Sequence, residues 1–250
     1  MTTMRAQQEF DRANALFATG MSSTEVARLL GIPRSTVRDW RLGRGRTRVR
    51  SGCEVHSISR LDVRAYSYLL GIYLGDGCIS SYPRDVFRLR ITLDAIYPGI
   101  VTECAKAIEA VAPGKKAAIL RRRGERTVEV SAYWKHWPCL IPQHGPGRKH
   151  LRPIVIRAWQ RRIIAAHPEP FLRGLIHSDG SRIIATERKG DRVRRAPRYA
   201  FKNASEDILG LFGEACDLVG VHYTRASRRQ IAVYSKYAVA RLDEFIGPKR

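Results

Sequence analysis

Hydrophobic and polar positions in the first 42 residues predict three short helices. The apolar face of the first helix consists of Phe10, Ala13, Leu16 and Phe17. Ser22 and Glu25 have the spacing of a capping box, in which each side chain binds a backbone amide that a helix start leaves without a partner. Pro33 stands near the first position of the third helix, where its missing amide proton costs nothing.

A different pattern begins near residue 62, where apolar residues become too continuous for a surface helix. In the segment YLLGIYLGDGCIS, Gly71 and Gly75 lie four residues apart and therefore share one face. Gly174 and Ser178 occupy the same places in the segment FLRGLIHSDGSRI. Because small residues let another backbone approach closely, the pattern predicts two helices that pack along these faces.

Each of these two helices ends on an acid, Asp76 or Asp179. The C-terminus of a helix carries partial negative charge, which disfavours a carboxylate. Two such ends side by side would bring the carboxylates together, and like charges this close raise a pKa strongly or recruit a cation. One Asp-Gly is typical of a plain helix end, but two copies in matching context favour a magnesium site.

The charge of the chain indicates its class of partner. Lys and Arg number 45 against 23 Asp and Glu, which gives a net charge of +22. A positive field of this size concentrates polyanions, so nucleic acid is the first partner to consider. A membrane surface, or the Arg codons of a GC-rich genome, would explain the same excess.

The five cysteines are scattered and form no CxxC pair, which favours a reducing compartment over a disulfide framework. The N-terminus lacks the basic start and apolar block of a signal peptide, and no uncharged apolar stretch approaches the roughly 20 residues that cross a bilayer. We therefore expect a cytoplasmic, nucleoid-associated protein that does not contact a membrane.

The segment STEVARLLGIPRSTVRDW resembles the helix-turn-helix of bacterial regulators, recombinases and transposases. Ala27 is small where two helices would touch, Gly31 makes the turn, and Val37 and Trp40 would bury the third helix. The resemblance implies that the major groove or its phosphates meet Arg34, Ser35, Thr36, Arg38 and Arg41. A three-helix packing module that does not touch DNA is the alternative.

The segment RLGRGRTRVR at 41–50 interleaves Arg with Gly and has little to bury, so it reads as a flexible linker. Its alternation also resembles the minor-groove arms beside some recombinase domains, which would place Arg44 and Arg46 on DNA. A plain solvated linker remains open.

Residues 69–77 and 172–180 resemble the LAGLIDADG homing-endonuclease family in its single-chain form with two motifs. Aligned without gaps, both keep the first Leu, the central Gly and the final Asp-Gly. Leu74 and His177 stand where the family name has its first Asp. The resemblance covers residues 62–250 and implies an α+β fold: a pseudo-twofold αββαββα repeat with two antiparallel saddle-like sheets, acting on double-stranded DNA as a monomer.

The sequence between the motifs fits two such halves, each with strand pairs, a helix and a hairpin. Basic residues lie along the expected strands and suit a concave sheet in the major groove. The DNA contacts expected are Arg88, Arg90, Arg121 and Arg123 in the first half and Arg198, Lys202 and Arg228 in the second. A solvated sheet face is the alternative.

Lys135 and Lys236 end the last strand of each half, in the segments YWK and YSK. In the family that these motifs resemble, a Lys near that position is a basic residue of the active site. Lys135 and Lys236 would then stabilise charge on the phosphorane, or polarise water, while Asp76 and Asp179 hold Mg²⁺. A phosphate contact at the end of a strand is the alternative for either lysine.

Residues that position the attacking water are harder to assign; the candidates are Arg90, Lys202 and Asn203. The segment joining the halves contains His136, Cys139, His144 and His150, which superficially resemble zinc ligands. Paired short spacings are missing, and three prolines in the same segment favour a rigid connector.

We therefore expect a helix-turn-helix domain at 1–43, an Arg-rich linker at 44–61, and LAGLIDADG halves at 62–150 and 151–250. The predicted function is sequence-specific binding of double-stranded DNA with magnesium-dependent cleavage, in which Asp76, Asp179, Lys135 and Lys236 are catalytic. The alternative is a non-catalytic transcriptional regulator on the same scaffold. An RNA-splicing maturase is a third hypothesis.

Overall fold

A computed structural model describes residues 2–42, 60–121, 124–189, 192–247 and 249. The chain divides into two compact units, residues 1–54 and 55–250. Within these described ranges, no helix is long and apolar enough to span a bilayer.

The first unit contains the three predicted helices: α1 (Thr2–Ala18), α2 (Ser23–Leu30) and α3 (Arg34–Arg41). The Ser22 hydroxyl accepts from the Glu25 amide, and the Glu25 carboxylate accepts from the Ser22 amide at 2.8 Å, so the capping box forms. Gly31 ends α2 with a φ of 66°, a left-handed conformation that glycine adopts without strain. The small core consists of Ala13, Val26, Ala27, Val37 and Trp40.

The second unit repeats one order of elements twice. The first half is α4 (Val63–Asp76), β1 (Gly77–Tyr82), β2 (Val86–Asp94), α5 (Pro98–Val111), β3 (Ala118–Arg121), β4 (Thr127–Trp134) and α6 (Trp137–Leu140). After α7 (Ala158–Ala166), the second half is α8 (Pro168–Asp179), β5 (Gly180–Lys189), β6 (Arg192–Lys202), α9 (Glu206–Leu218), β7 (Thr224–Ser227), β8 (Gln230–Val233) and α10 (Lys236–Ile246). The predicted α+β class and its αββαββα repeat are confirmed.

Both halves build a four-stranded antiparallel sheet, in the orders β1-β2-β4-β3 and β5-β6-β8-β7. Gly77, which follows the first acid, pairs with Ile91 of β2. Gly180, which follows the second acid, pairs with Phe201 of β6. The register of the two sheets relative to the two acids is therefore the same, and each acid leads directly into an edge strand.

Helices α4 and α8 form the centre of this unit and approach each other at backbone distance. A Cβ built on Gly71 would lie 2.3 Å from the Phe171 carbonyl oxygen, and one built on Gly174 would lie 2.3 Å from the Tyr68 carbonyl oxygen. Leu69, Leu70 and Leu172 beside this contact have no exposed surface. Only glycine at both positions allows the two helices to pack so closely.

Buried hydrogen bonds fasten the connector between the halves to α4. The Tyr66 hydroxyl donates to the Leu140 carbonyl at 2.6 Å and accepts from the Gln160 side chain at 2.7 Å. The Gln143 amide nitrogen donates to Gln160 Oε1 at 2.7 Å. Buried polar groups satisfied in this way specify one arrangement, which fixes the path of the chain toward Lys149.

Gly174→Ala should lower the free energy of unfolding by about 2–3 kcal/mol, because the added methyl group would overlap the Tyr68 carbonyl oxygen. Urea denaturation measures the change. Gly210→Ala in α9 is the matched control, since a Cβ there meets no atom within 4 Å. Alanine is the better helix former, so this control should raise stability by about 0.5–1 kcal/mol. Equal effects of the two substitutions would contradict the close packing of α4 and α8.

Candidate active site

The carboxylates of Asp76 and Asp179 meet where α4 and α8 end. The helix ends almost touch: a Cβ built on Gly75 would lie 2.2 Å from Ser178 Oγ and 2.8 Å from Asp179 Oδ2. Both acids are half-buried. The packing of the two helices therefore holds the two carboxylates close together.

Burial and proximity disfavour ionisation of this acid pair. Burial, followed by the negative charge of Asp179, raises the pKa of Asp76 from 3.8 to about 6. Burial likewise raises the pKa of Asp179, although a hydrogen bond from Asn203 opposes that shift. The site therefore favours any group that brings positive charge to the two carboxylates.

Two lysines bring such charge, one to each helix end. Lys149 donates to the carbonyl oxygens of Leu74 at 3.0 Å and Gly75 at 2.9 Å, and also to that of Tyr73. Lys249 donates to the carbonyl oxygen of His177 at 3.2 Å and to that of Gly180. Each ammonium group thus binds carbonyls at or just beyond a helix C-terminus, which is the negative end of the helix dipole.

Both lysines are also electrostatically coupled to the two acids. Burial lowers the pKa of Lys149 to about 8, while the charges of Asp76 and Asp179 act in the opposite direction. Burial lowers the pKa of Lys249 against the same two charges. Two carboxylates and two ammonium groups therefore share one partly desolvated cluster, which we call the acid–lysine cluster: Asp76, Asp179, Lys149 and Lys249.

Sequence reasoning missed Lys149 and Lys249, although the chain contains a signal for them. Both follow a Gly-x-Lys pattern, Gly147-Arg148-Lys149 and Gly247-Pro248-Lys249. Gly147 and Gly247 have positive φ values of 78° and 67°. In both halves a glycine stands two residues before the lysine, and the lysine follows its acid at a similar separation along the sequence. This repeat is a sequence signal for the two lysines.

Lys135 and Lys236, the lysines predicted from the sequence, are exposed. Lys135 follows Trp134, which pairs with Phe87 of β2. Phe87 lies four residues before Ile91, the residue that pairs with Gly77. Lys236 is the first residue of α10. Their catalytic role stays a prediction.

Asn203, one of the candidates for positioning water, binds the second acid. Its Nδ2 donates to Asp179 Oδ2 at 2.7 Å, and its Oδ1 accepts from the Ser205 amide at 2.7 Å. Asn203 lies two residues beyond Phe201, and the equivalent place in the first half is taken by buried Leu93. The two acids therefore have unequal surroundings.

The predicted basic residues occupy exposed or half-exposed positions on both units. On α3, Arg34, Ser35, Arg38 and Arg41 are exposed and Thr36 is half-buried, whereas Val37 and Trp40 face the core. On the sheets, Arg121, Lys202 and Arg228 are exposed, and Arg88, Arg90 and Arg198 are half-buried. Arg44, Arg46 and Arg123 lie outside the described residues.

No group of three or more His, Cys, Asp or Glu side chains is arranged to hold a metal ion among the residues that the structure describes. The zinc alternative for the connector required His136, Cys139, His144 and His150 to be gathered into such a group, and they are not. The acid pair supplies two carboxylates, so further ligands for a cation there would come from water and from a bound phosphate.

Comparison with known proteins gives one family match and several similar structures. The family model of a homeodomain-like domain matches residues 12–45. No protein of curated function matches the chain. The chain resembles LAGLIDADG proteins of known structure, the same group that its two motifs resemble.

Three of these structures illustrate the likeness. One is I-DmoI in complex with DNA and Mn, with 16% identity over 74% of this chain and 98% of that one and a TM-score of 0.47. Another is I-WcaI bound to its DNA recognition sequence, with 10% identity, 76% and 83% coverage and a TM-score of 0.46. A third is the N-terminal LAGLIDADG domain of DUF199/WhiA, with 15% identity, 75% and 83% coverage and a TM-score of 0.45.

Without divalent metal, Asp76→Asn should raise the free energy of unfolding at pH 7 by up to about 3 kcal/mol. The folded pKa of about 6 exceeds the ordinary 3.8, so the folded state binds more protons between these values and wild-type stability falls as the pH rises through them. The gain should therefore shrink as the pH falls from 6 to 4. Urea denaturation in chelator at a series of pH values measures it.

Asp243→Asn is the control of opposite sign. Hydrogen bonds from Arg182, both 2.7 Å long, lower the pKa of Asp243, so its ionised form stabilises the fold. Its replacement should reduce stability at pH 7, and the loss should disappear as the pH falls through the lowered pKa. A stability change of the same direction for both variants at pH 7 would show that the acid pair carries no excess repulsion.

Proposed function

We propose that this chain binds double-stranded DNA at specific sequences and cleaves both strands in a reaction that requires a divalent metal ion. The observation that carries the proposal is the acid–lysine cluster at the junction of α4 and α8. A structural role does not explain two carboxylates at negative helix ends with raised pKa values. Perturbed groups of this kind concentrate at functional sites.

The donor set fits Mg²⁺ or Mn²⁺. Asp76 and Asp179 offer hard oxygen ligands. A divalent cation between the two carboxylates would offset the repulsion of their negative charges. When bound there, the metal would supply Lewis-acid activation of the scissile phosphate and of the attacking water. Asp76 and Asp179 would hold it, and Asn203 would fix the orientation of the Asp179 carboxylate.

The protein's own groups supply the remaining requirements of phosphodiester hydrolysis. A water oxygen bonds to phosphorus, the bond to a deoxyribose oxygen breaks, and negative charge develops on the phosphate oxygens between these events. Ammonium groups close to the acid pair stabilise that charge. We assign this task to Lys149 and Lys249, because each binds carbonyls at the end of a helix that carries one of the acids and its charge acts on both Asp76 and Asp179.

Two basic surfaces support DNA as the substrate. One consists of the exposed residues of α3, which include Arg34 and Arg38. The other consists of the outward faces of the two sheets, which begin at the acid–lysine cluster. A net charge of +22 attracts DNA at long range.

Wild-type protein with Mg²⁺ should cut a genomic fragment library at discrete sites, and Asp76→Asn plus Asp179→Asn should abolish cutting while leaving binding intact. The reason is that the acids hold the metal and contribute little to DNA affinity. Sequencing of fragment ends measures cleavage, and a gel-shift titration measures binding. Site-specific binding with no cleavage by the wild type would leave a non-catalytic regulator.

The same assay distinguishes the two lysine pairs. Lys149→Met plus Lys249→Met should reduce the cleavage rate by about 100-fold or more, which is the size of effect expected when groups that stabilise the transition state are removed. Lys135→Met plus Lys236→Met removes the same charge from the exposed positions predicted from the sequence. Thermal unfolding of both double variants checks that they are folded. If only the second pair reduced the rate, the assignment to Lys149 and Lys249 would be wrong.

Arg34→Ala plus Arg38→Ala in α3 should weaken DNA binding and lower the salt dependence of affinity by about one unit of slope per lost phosphate contact. A titration repeated at several salt concentrations gives that slope. Arg28→Ala is the matched control, because Arg28 is an exposed arginine on α2. An unchanged slope for the α3 variant would indicate that this unit is a packing module and does not contact DNA.

A further inference from the structure

Two arginines occupy equivalent places in the two sheets. Arg88 lies three residues before Ile91, the β2 residue that pairs with Gly77. Arg198 lies three residues before Phe201, the β6 residue that pairs with Gly180. Arg88 and Arg198 therefore have equivalent positions relative to Asp76 and Asp179, the acids that precede the edge strands.

Each of these arginines lies over the ring of a tyrosine. Arg88 stands opposite Tyr133 and its guanidinium lies 5.5 Å from the centre of the tyrosine ring. The guanidinium of Arg198 lies 6.0 Å from the centre of the ring of Tyr234, the residue that follows β8. A cation over an aromatic face is attracted to it, so both side chains are held against the outward face of their sheet.

Strand alternation places the two arginines away from the core. In β2 the neighbours Leu89 and Ile91 are buried, and in β6 the alternating Tyr199 and Phe201 are buried. Arg88 and Arg198 therefore project from the opposite, outward face.

Arg88 is fixed further by polar neighbours. Its Nη2 donates to a carboxylate oxygen of Glu129 and, at 3.2 Å, to Ser131 Oγ. Tyr133 is in turn held by an edge-to-face contact with Tyr82, with ring centres 5.1 Å apart. A guanidinium oriented before binding loses little freedom when it meets a ligand.

The chemistry of this neighbourhood argues against a phosphate as the ligand of Arg88. The carboxylate of Glu129 beside the guanidinium would repel a phosphate group. The Glu129 carboxylate would not repel a G·C base pair in this way. Guanine offers two adjacent acceptors to the arginine, and the amino group of cytosine can donate to a carboxylate.

Arg198 shares the tyrosine contact but has different polar neighbours. Gln230 and Ala232 take the places that Glu129 and Ser131 have in the first sheet. In the described part of the chain, the Nε–H groups of both arginines are buried and have no acceptor.

We propose that Arg88 and Arg198 read two guanines placed symmetrically about the centre of the DNA target, one in each half-site. This inference rests on the proposed sequence-specific DNA binding and adds the bases that two particular side chains recognise. The arginine fork meets O6 and N7 of guanine in the major groove. Lysine keeps the charge but lacks the fork, so a lysine variant separates base recognition from simple charge.

The test is selection of bound duplexes from a randomised library, followed by sequencing, in chelator so that cleavage does not deplete bound DNA. The full chain is compared with Arg88→Lys, Arg198→Lys and Arg161→Lys. Arg161 is the control because it is an exposed arginine on α7 that binds Glu214. Wild type and control should select guanine at two mirror-related positions.

Each of the two test variants should lose about tenfold of the guanine preference at one position and keep it at the other. Glu129→Gln should weaken the preference only at the position read by Arg88, because it releases the guanidinium without removing its charge. Thermal unfolding confirms that each variant is folded.

The possible failures are distinguishable. If the wild type binds DNA but selects no sequence, the proposed function itself is wrong. If the wild type selects a site and both lysine variants keep its guanines, the arginines contact phosphates and only the present inference is overturned. Loss of preference at positions that are not mirror-related would also overturn it.

Discussion

The second unit depends on the backbone contact between α4 and α8. Gly71 and Gly174 let the helices approach until a single added methyl group would overlap a carbonyl oxygen of the partner. Because the two helices are in backbone contact, Asp76 and Asp179 at their ends are held close together. The two sheets start at Gly77 and Gly180, so their register is set by the same contact.

That contact brings two negatively charged side chains together, and two lysines from later in the chain reduce the repulsion. Two half-buried carboxylates at negative helix ends are destabilising, which the raised pKa of Asp76 expresses. Lys149 and Lys249 lie in segments that follow the last helix of each half and donate directly to carbonyls at the ends of α4 and α8. The lysines offset the negative ends of the helix dipoles, but the two carboxylates still repel each other and would be stabilised by further positive charge. A site of this kind is stable enough to fold and still favours binding a cation.

The sequence predicted those features that short-range patterns determine. The capping box of Ser22 and Glu25, the small residues of α4 and α8, and the alternation of β2 are each visible within a few residues. The two lysines beside the acids were missed, because Lys149 follows Asp76 by more than 70 positions and is brought back by the buried hydrogen bonds of Tyr66, Gln143 and Gln160. A strand-end lysine such as Lys135 has an equally regular position in the sequence, so spacing alone does not separate the two pairs.

Symmetry in this unit is strict where the helix backbones touch and relaxed beside the acids and along the sheets. Gly71 and Gly174 are equivalent because each faces the other helix, and no larger residue fits either place. Asn203 faces Asp179, whereas Leu93 takes the equivalent place in the other half; likewise Glu129 is matched by Gln230. These differences alter hydrogen bonding without disturbing the packed helices. A scaffold of this kind holds two acids at equivalent positions while its two outward faces differ in chemistry, and the proposed action on two DNA strands of different sequence would require both properties.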